Sequence, residues 1–162
     1  MMIMAAEYTK EDCIKDTMEH IELVNSFLLI ISRKMMEDGW SHDRSKLIEP
    51  ELSGFTEASP LLSKDQYGSK AYKKGLEILN ESGALQHHYV FNKHHPESHK
   101  FGVSGMSLVD VVVMFCDWLA SIKRNPGGNM AKSIKFKNKN GTIDDQLATI
   151  FLNTYRQLFA GK

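Results

Sequence analysis

The chain has 162 residues, 42% of them hydrophobic, and its twenty basic and twenty acidic side chains cancel to a formal net charge of zero. That length and composition fit one domain with a real core. They exclude a globally basic nucleic-acid binder and an acidic disordered chain, and no internal period points to a repeat architecture.

The start, MMIMAAEYTK, lacks the charged region and long apolar run of a signal peptide. The longest apolar runs, residues 27–31 and 111–116, are too short to span a membrane. Cys13 and Cys116 lie far apart and form neither a disulfide framework nor a CxxC knuckle. Both are expected as buried thiols in a reducing cytoplasm.

Helical patterning runs through almost the whole chain. Thr9 with Asp12 reads as a capping box. A long helix follows to about Asp38 and stops at Gly39. Ile14, Ile21, Leu28 and Met35 recur every seven residues, with Val24, Phe27 and Ile31 widening a stripe expected to face the core. Ser41 can cap a short second helix that Pro50 limits. Residues 50–62 read as a loop, and Ser63 with Gln66 as a second capping box. The helix after it carries Tyr67, Ala71, Leu76 and Leu79 and breaks at Gly83. Another runs from Ala84 to about His94, before Pro96.

Ser107 with Asp110 caps LVDVVVMFCDWLASIK, which is apolar nearly all round and is expected at the centre. Residues 125–141 read as a turn-rich loop or short hairpin. Thr142 with Asp145 caps a last amphipathic helix at 143–160, through Ile143, Leu147, Ile150 and Leu158. The expectation is a single all-α domain over residues 1–162, a bundle of five to six helices.

All seven histidines fall between residues 20 and 99, five of them in HHYVFNKHHPESH. Imidazole binds Zn, Fe, Mn or Ni well, and carboxylates shift a site toward Mn, Mg or Fe. On a regular helix His87 and His94, or His88 and His95, stand about 10 Å apart and do not share one ion. Asn92 shares the face of His88 and His95. Pro96 disfavours helical geometry at His95 and so can turn it inward. His20 lies beside the apolar stripe of the first helix. His42 and Asp43 are adjacent, and Asp117 sits mid-helix between Cys116 and Trp118, where a buried carboxylate needs a partner. Capping alone accounts for Asp110.

Three stretches, HDRSK at 42–46, HHYVFNKHHPES at 87–98 and CDW at 116–118, follow one another on this helical chain. Together they resemble the HD-domain superfamily of metal-dependent phosphohydrolases. More closely, they are similar to an uncharacterised phage and bacterial family, a domain of unknown function. The superfamily resemblance implies a helical fold and a metal held by a His, an adjacent His–Asp pair and a distant Asp. His20, His42, Asp43 and Asp117 match those roles. Two-metal members carry two further histidines, matched here by His87 or His88 with His94 or His95, of which His88 and His94 are taken as ligands. Their closeness departs from the wider spacing of many two-metal members, so one ion (Mn, Fe, Zn, Ni or Co) is expected rather than two.

The implied activity is hydrolysis of a phosphate ester, such as a nucleotide, by metal-activated water. Asp43 or Asp117 would orient or deprotonate that water, with Glu49 and Glu51 as further candidate bases. Lys46 would hold a phosphate oxygen, and His95 or His94 would protonate the leaving group. Two other readings compete: an iron-dependent oxygenase on the same scaffold, and a non-catalytic helical interaction protein. Six basic residues and no acid between 123 and 139 suggest a loop for weak nucleic-acid contact. A small phosphorylated molecule and a second copy of the chain complete the expected partners, with no membrane.

Overall fold

A computed structural model describes residues 8–64, 69–124 and 127–159. Among these residues the protein is all-helical, as expected, with no strand. Seven α-helices follow in order: α1 Lys10–Ser41, α2 Glu51–Lys64, α3 Lys70–Glu81, α4 Ala84–Phe91, α5 Leu108–Arg124, α6 Met130–Lys139 and α7 Asp145–Leu158. Short 3-10 turns occupy Arg44–Leu47, Pro96–Ser98 and Gly102–Gly105. No helix among the described residues is long and apolar enough to cross a membrane.

Several expected boundaries hold. The Thr9–Asp12 box opens α1, with the Thr9 hydroxyl accepting from the Asp12 N–H at 3.1 Å. Ser107 and Asp110 make the same box at α5. Gly83 takes the left-handed conformation between α3 and α4.

Others are corrected. The helix α1 passes through Gly39, and Ser41 lies in its last turn, its hydroxyl bonded to the Asp38 carbonyl instead of capping a second helix. Residues 51–64 form α2 rather than a loop, with Pro60 inside it. Ser63 falls within that helix, and Gln66 and Tyr67 lie outside the described residues. Ser69 is the cap of α3. Asp144, not Thr142, caps α7. Its buried residues are Ala148 and Phe151, while Ile150 and Leu158 are exposed. Both cysteines are exposed.

The basic segment is also a helix. Met130 and Ile134 of α6 are buried, so the lysines around them ride on a packed element. Lys137 lies over the Trp118 ring at 4.4 Å. Burial pulls its pKa down, against the pull of Glu97 and Asp117. The turn-rich loop or short hairpin expected at 125–141 is, over Met130–Lys139, this helix, which presents Ile134 inward.

Two separate apolar clusters result. One joins α5, α6 and α7 through Met114, Phe115, Trp118, Ile134 and Phe151. The other joins α2, α3 and α4 through Ala58, Leu79 and Ala84. The end of α1, the Arg44–Leu47 turn and the 92–98 segment lie between them.

The close approach of α2 depends on Gly54. A Cβ there would sit 2.6 Å from the Ala84 Cβ and 2.8 Å from the Ser82 Oγ. A Gly54→Ala substitution is therefore expected to destabilise the fold by about 1–3 kcal/mol through overpacking. Chemical denaturation of the two proteins checks this, and an unchanged midpoint would contradict the packing described.

Candidate metal centre

The site begins where α1 ends. His42 is the C-cap of that helix, and its ring Nδ1 lies 2.5 Å from the Gly39 carbonyl. Donation there places the hydrogen on Nδ1 and leaves Nε2 with its lone pair. Asp43 follows in the left-handed region, at φ 58°. Asp tolerates that conformation better than most residues, and here it reverses the chain at the helix end. The expected helix start at His42–Asp43 is instead this reversal, followed by the 3-10 turn.

Asn92 locks the reversal from the other side. Its side-chain oxygen accepts from the Asp43 N–H at 2.8 Å, and its amide donates to Ser45 Oγ at 2.7 Å and to the His88 carbonyl at 2.9 Å. By capping α4 in an extended conformation, Asn92 also ends that helix before His94. The regular spacing expected for His88 and His95 therefore does not apply. The chain folds back, and the two Nε2 atoms come within 2.9 Å.

Around Asp43 the polar atoms converge. His88 Nε2 is 3.3 Å and His94 Nε2 3.5 Å from Asp43 Oδ1. Lys46 Nζ is 2.7 Å from Oδ2. Two groups of three residues have ligand atoms within 4.8 Å of one another: Asp43, His88 and His95, and His42, Asp43 and Asp117. Asp43 belongs to both. Ligands about 2.0–2.2 Å from one ion stand about 2.9–3.5 Å apart, and the His88–His95, His88–Asp43 and His94–Asp43 atoms lie 2.9, 3.3 and 3.5 Å apart.

A further sign lies in what is unpaired. Among the described residues, Asp43 Oδ1 and His94 Nε2 are the buried side-chain atoms with no hydrogen-bond partner. His94 is 4% exposed. Buried polar atoms normally find a partner, and an unpaired imidazole nitrogen 3.5 Å from an unpaired carboxylate oxygen is a donor pair that a cation would satisfy. These residues fit a divalent ion.

Glu51 holds the arrangement from behind. It is 0% exposed, with one oxygen 2.6 Å from His87 Nδ1 and the other 2.7 Å from His88 Nδ1. This carboxylate fixes the His88 tautomer so that Nε2 faces Asp43 with its lone pair. Burial alone would raise the Glu51 pKa, but the bonds from His87, Ser45 and His88 bring it below the usual value. The same balance holds at Asp43: burial raises its pKa, and Lys46, His88 and His94 more than reverse it.

Some expected roles change. His20 is exposed on α1, 22 residues before His42 on the same helix, so it stands roughly 33 Å away and is not part of the cluster. Lys46 pairs with Asp43 and lies over the Phe55 ring at 4.7 Å. Glu49 accepts from the Ser53 N–H and hydroxyl in the first turn of α2. Glu51 is a positioning carboxylate without solvent access. Burial, together with His94 and His88, drives the His95 pKa down to about 3, so in the metal-free protein it is a neutral ring suited to ligation rather than a proton donor. Burial likewise lowers His94.

The chain matches the sequence family described as "Family of unknown function (DUF5662)" over residues 9–157. It belongs to that family. No curated protein and no solved structure matches it.

The histidine shifts have a consequence for stability. A histidine held neutral in the fold and free to titrate when unfolded contributes stability that is fully present above about pH 6.5 and is lost as the pH falls toward the folded value. With chelator present, the thermal midpoint is expected to fall between pH 7 and pH 5, above the range where carboxylates titrate. A His95→Gln variant should show a shallower slope. Equal slopes would contradict a neutral, buried His95.

Proposed function

We propose that this protein is a metal-dependent hydrolase of small phosphate esters, with Asp43 as the common ligand of its centre. The observation that carries the reading is the unpartnered pair, Asp43 Oδ1 and His94 Nε2, inside a cluster of four histidines and two aspartates. The likeness of HDRSK, the histidine-rich stretch and CDW to HD-domain phosphohydrolases supports the same reading.

His42, Asp43, His88, His94, His95 and Asp117 would hold one divalent ion, drawn from Mn, Fe, Zn, Ni and Co. An all-imidazole and carboxylate donor set without thiolate suits these borderline ions. When bound, such an ion supplies Lewis acidity toward a phosphoryl oxygen and acidifies a water toward neutral pH.

The chain's own residues do the rest. A cavity of about 220 Å³ opens beside His42, Asn92 and His94, with Lys34 and Lys93 on its wall together with Asp38 and Asp110. That volume admits a small anionic group and little more. Lys46 keeps Asp43 ionised, which makes Asp43 a strong ligand and a weak base. Asp117, whose carboxylate lies in one group with His42 and Asp43, would take the proton of an attacking water.

One observation favours a second reading. Asp43, His88 and His95 form a two-histidine, one-carboxylate set, the donor pattern of non-haem iron oxygenases. An iron-dependent oxygenase would then consume oxygen with Fe(II), whereas the hydrolase would not.

Elemental analysis of untagged protein prepared without chelator is the direct test. About one equivalent of metal is expected, absent from Asp43→Ala and reduced in His88→Ala and Asp117→Ala. Release of p-nitrophenol from p-nitrophenyl phosphate should track metal content. Protein that contains no metal and takes none up from Mn, Fe, Co, Ni or Zn would sink the reading. Glu51→Gln should leave the fold intact and weaken metal affinity by about 10–100-fold, measured by competition with a chromogenic chelator.

A further inference from the structure

The helix α1 carries a surface that its own chain does not cover. From Lys10 through Lys34 every residue is exposed, and Met35 is the first that is not. Those 25 residues make a helical arm roughly 37 Å long. Its base is anchored: Met35, Met36 and Gly39 line a groove with Val112, Cys116 and Ala120 of α5. Lys34 neighbours Asp110 and His42 neighbours Asp117, so α1 and α5 run parallel. Because α5 begins at Leu108, the arm extends past its start with no described helix alongside.

The arm has the wrong chemistry for water. Ile14 (65%), Leu29 (71%) and Ile30 (66%) are largely exposed, with Ile21, Phe27 and Leu28 about half exposed. Residues 27–31, FLLII, are apolar on every side, a pattern that belongs in a covered helix. A long helix without tertiary packing is also marginal in itself.

The surface of the chain gives the scale. Its accessible area is 12429 Å². A compact monomer of 18.4 kDa exposes about 8,200 Å². Full exposure of the sixteen residues outside the description, at about 160 Å² each, would still leave an excess of about 1,700 Å². Obligate homodimers bury areas of this order per chain.

We infer that the arm is a homodimerisation element, and that two copies pair their α1 helices antiparallel about a two-fold axis near the middle of the arm. The stripe is self-complementary: Ile14, Ile21 and Leu28 with Val24 and Ile31 repeat as a heptad seam. Charge selects the direction. Between Lys10 and Glu22 there are five acids (Glu11, Asp12, Asp16, Glu19, Glu22) against Lys10 and Lys15. Parallel pairing stacks these acidic halves together, whereas antiparallel pairing sets each against Arg33 and Lys34 of the other copy. Those two cations are held within their own chain by exposed pairs to Glu37 and Asp38, which cost little to rearrange.

Sedimentation equilibrium of the full chain tests the pairing. A mass about twice that of the chain is expected at micromolar concentration, falling to the monomer in an Ile21→Glu, Leu28→Glu double variant. A monomeric wild-type protein, or a variant that stays dimeric, would overturn it. If the variant fails to fold, hydrogen exchange on the wild type decides: amides of residues 15–32 should be protected as a dimer and lose protection on dilution. Rapid exchange of those amides at high concentration would refute the interface. In a Cys116→Ser background, a short bismaleimide should not join the two Cys13 thiols. Efficient crosslinking there would overturn the antiparallel arrangement.

Discussion

The centre depends on one reversal of the backbone. Asp43 adopts the left-handed conformation directly after α1, and this turns a helix end into a platform. Without it, His42 and Asp43 would diverge around a helix by about 100°. With it, the His42 ring and the Asp43 carboxylate face the same space as Asp117 of α5. A positive φ at a non-glycine residue is a local cost, and such costs concentrate where function needs them. Here it is offset by the bond from the Asp43 N–H to Asn92 and by the Lys46 pair.

Around that point the structure is a polar junction between two apolar clusters. The α5–α7 cluster supplies Asp117, and the α2–α4 cluster supplies Glu51, His87 and His88. Each half presents only part of a ligand set, and the junction exists where the halves meet. The buried Glu51 carboxylate shows the cost of such a junction. It is completely enclosed, and only the two histidine rings and Ser45 make ionisation favourable there. The unpaired atoms at Asp43 and His94 are the part of the junction that the protein alone does not satisfy.

Much of this was legible from residues, and the misses have identifiable causes. Capping boxes at Thr9 and Ser107 and the break at Gly83 act over three or four residues, so they survive into the fold unchanged. The loop expected at 50–62 failed because Gly54 and Pro60 suggested a turn. Gly54 instead provides close contact between helices, a reason invisible without the neighbour. Hiding α2 also hid the role of Glu51, which became one candidate base among others. His20 stands beside an apolar stripe, and that stripe is itself exposed from Ile14 to Ile31.

The sequence by itself determined the helical class and the helix ends set by local signals at Thr9, Gly83 and Ser107, and it supplied His42, Asp43, His88, His94, His95 and Asp117 as candidates alongside His20. These follow from local periodicity, caps and residue chemistry. Only the tertiary structure decided which histidines share a ligand atom's reach, because that depended on Asn92 ending α4 and folding His95 back on His88. It also decided that the apolar stripe of α1 stays outside. Periodicity records that a face must be covered, but it does not say whether the cover comes from the same chain.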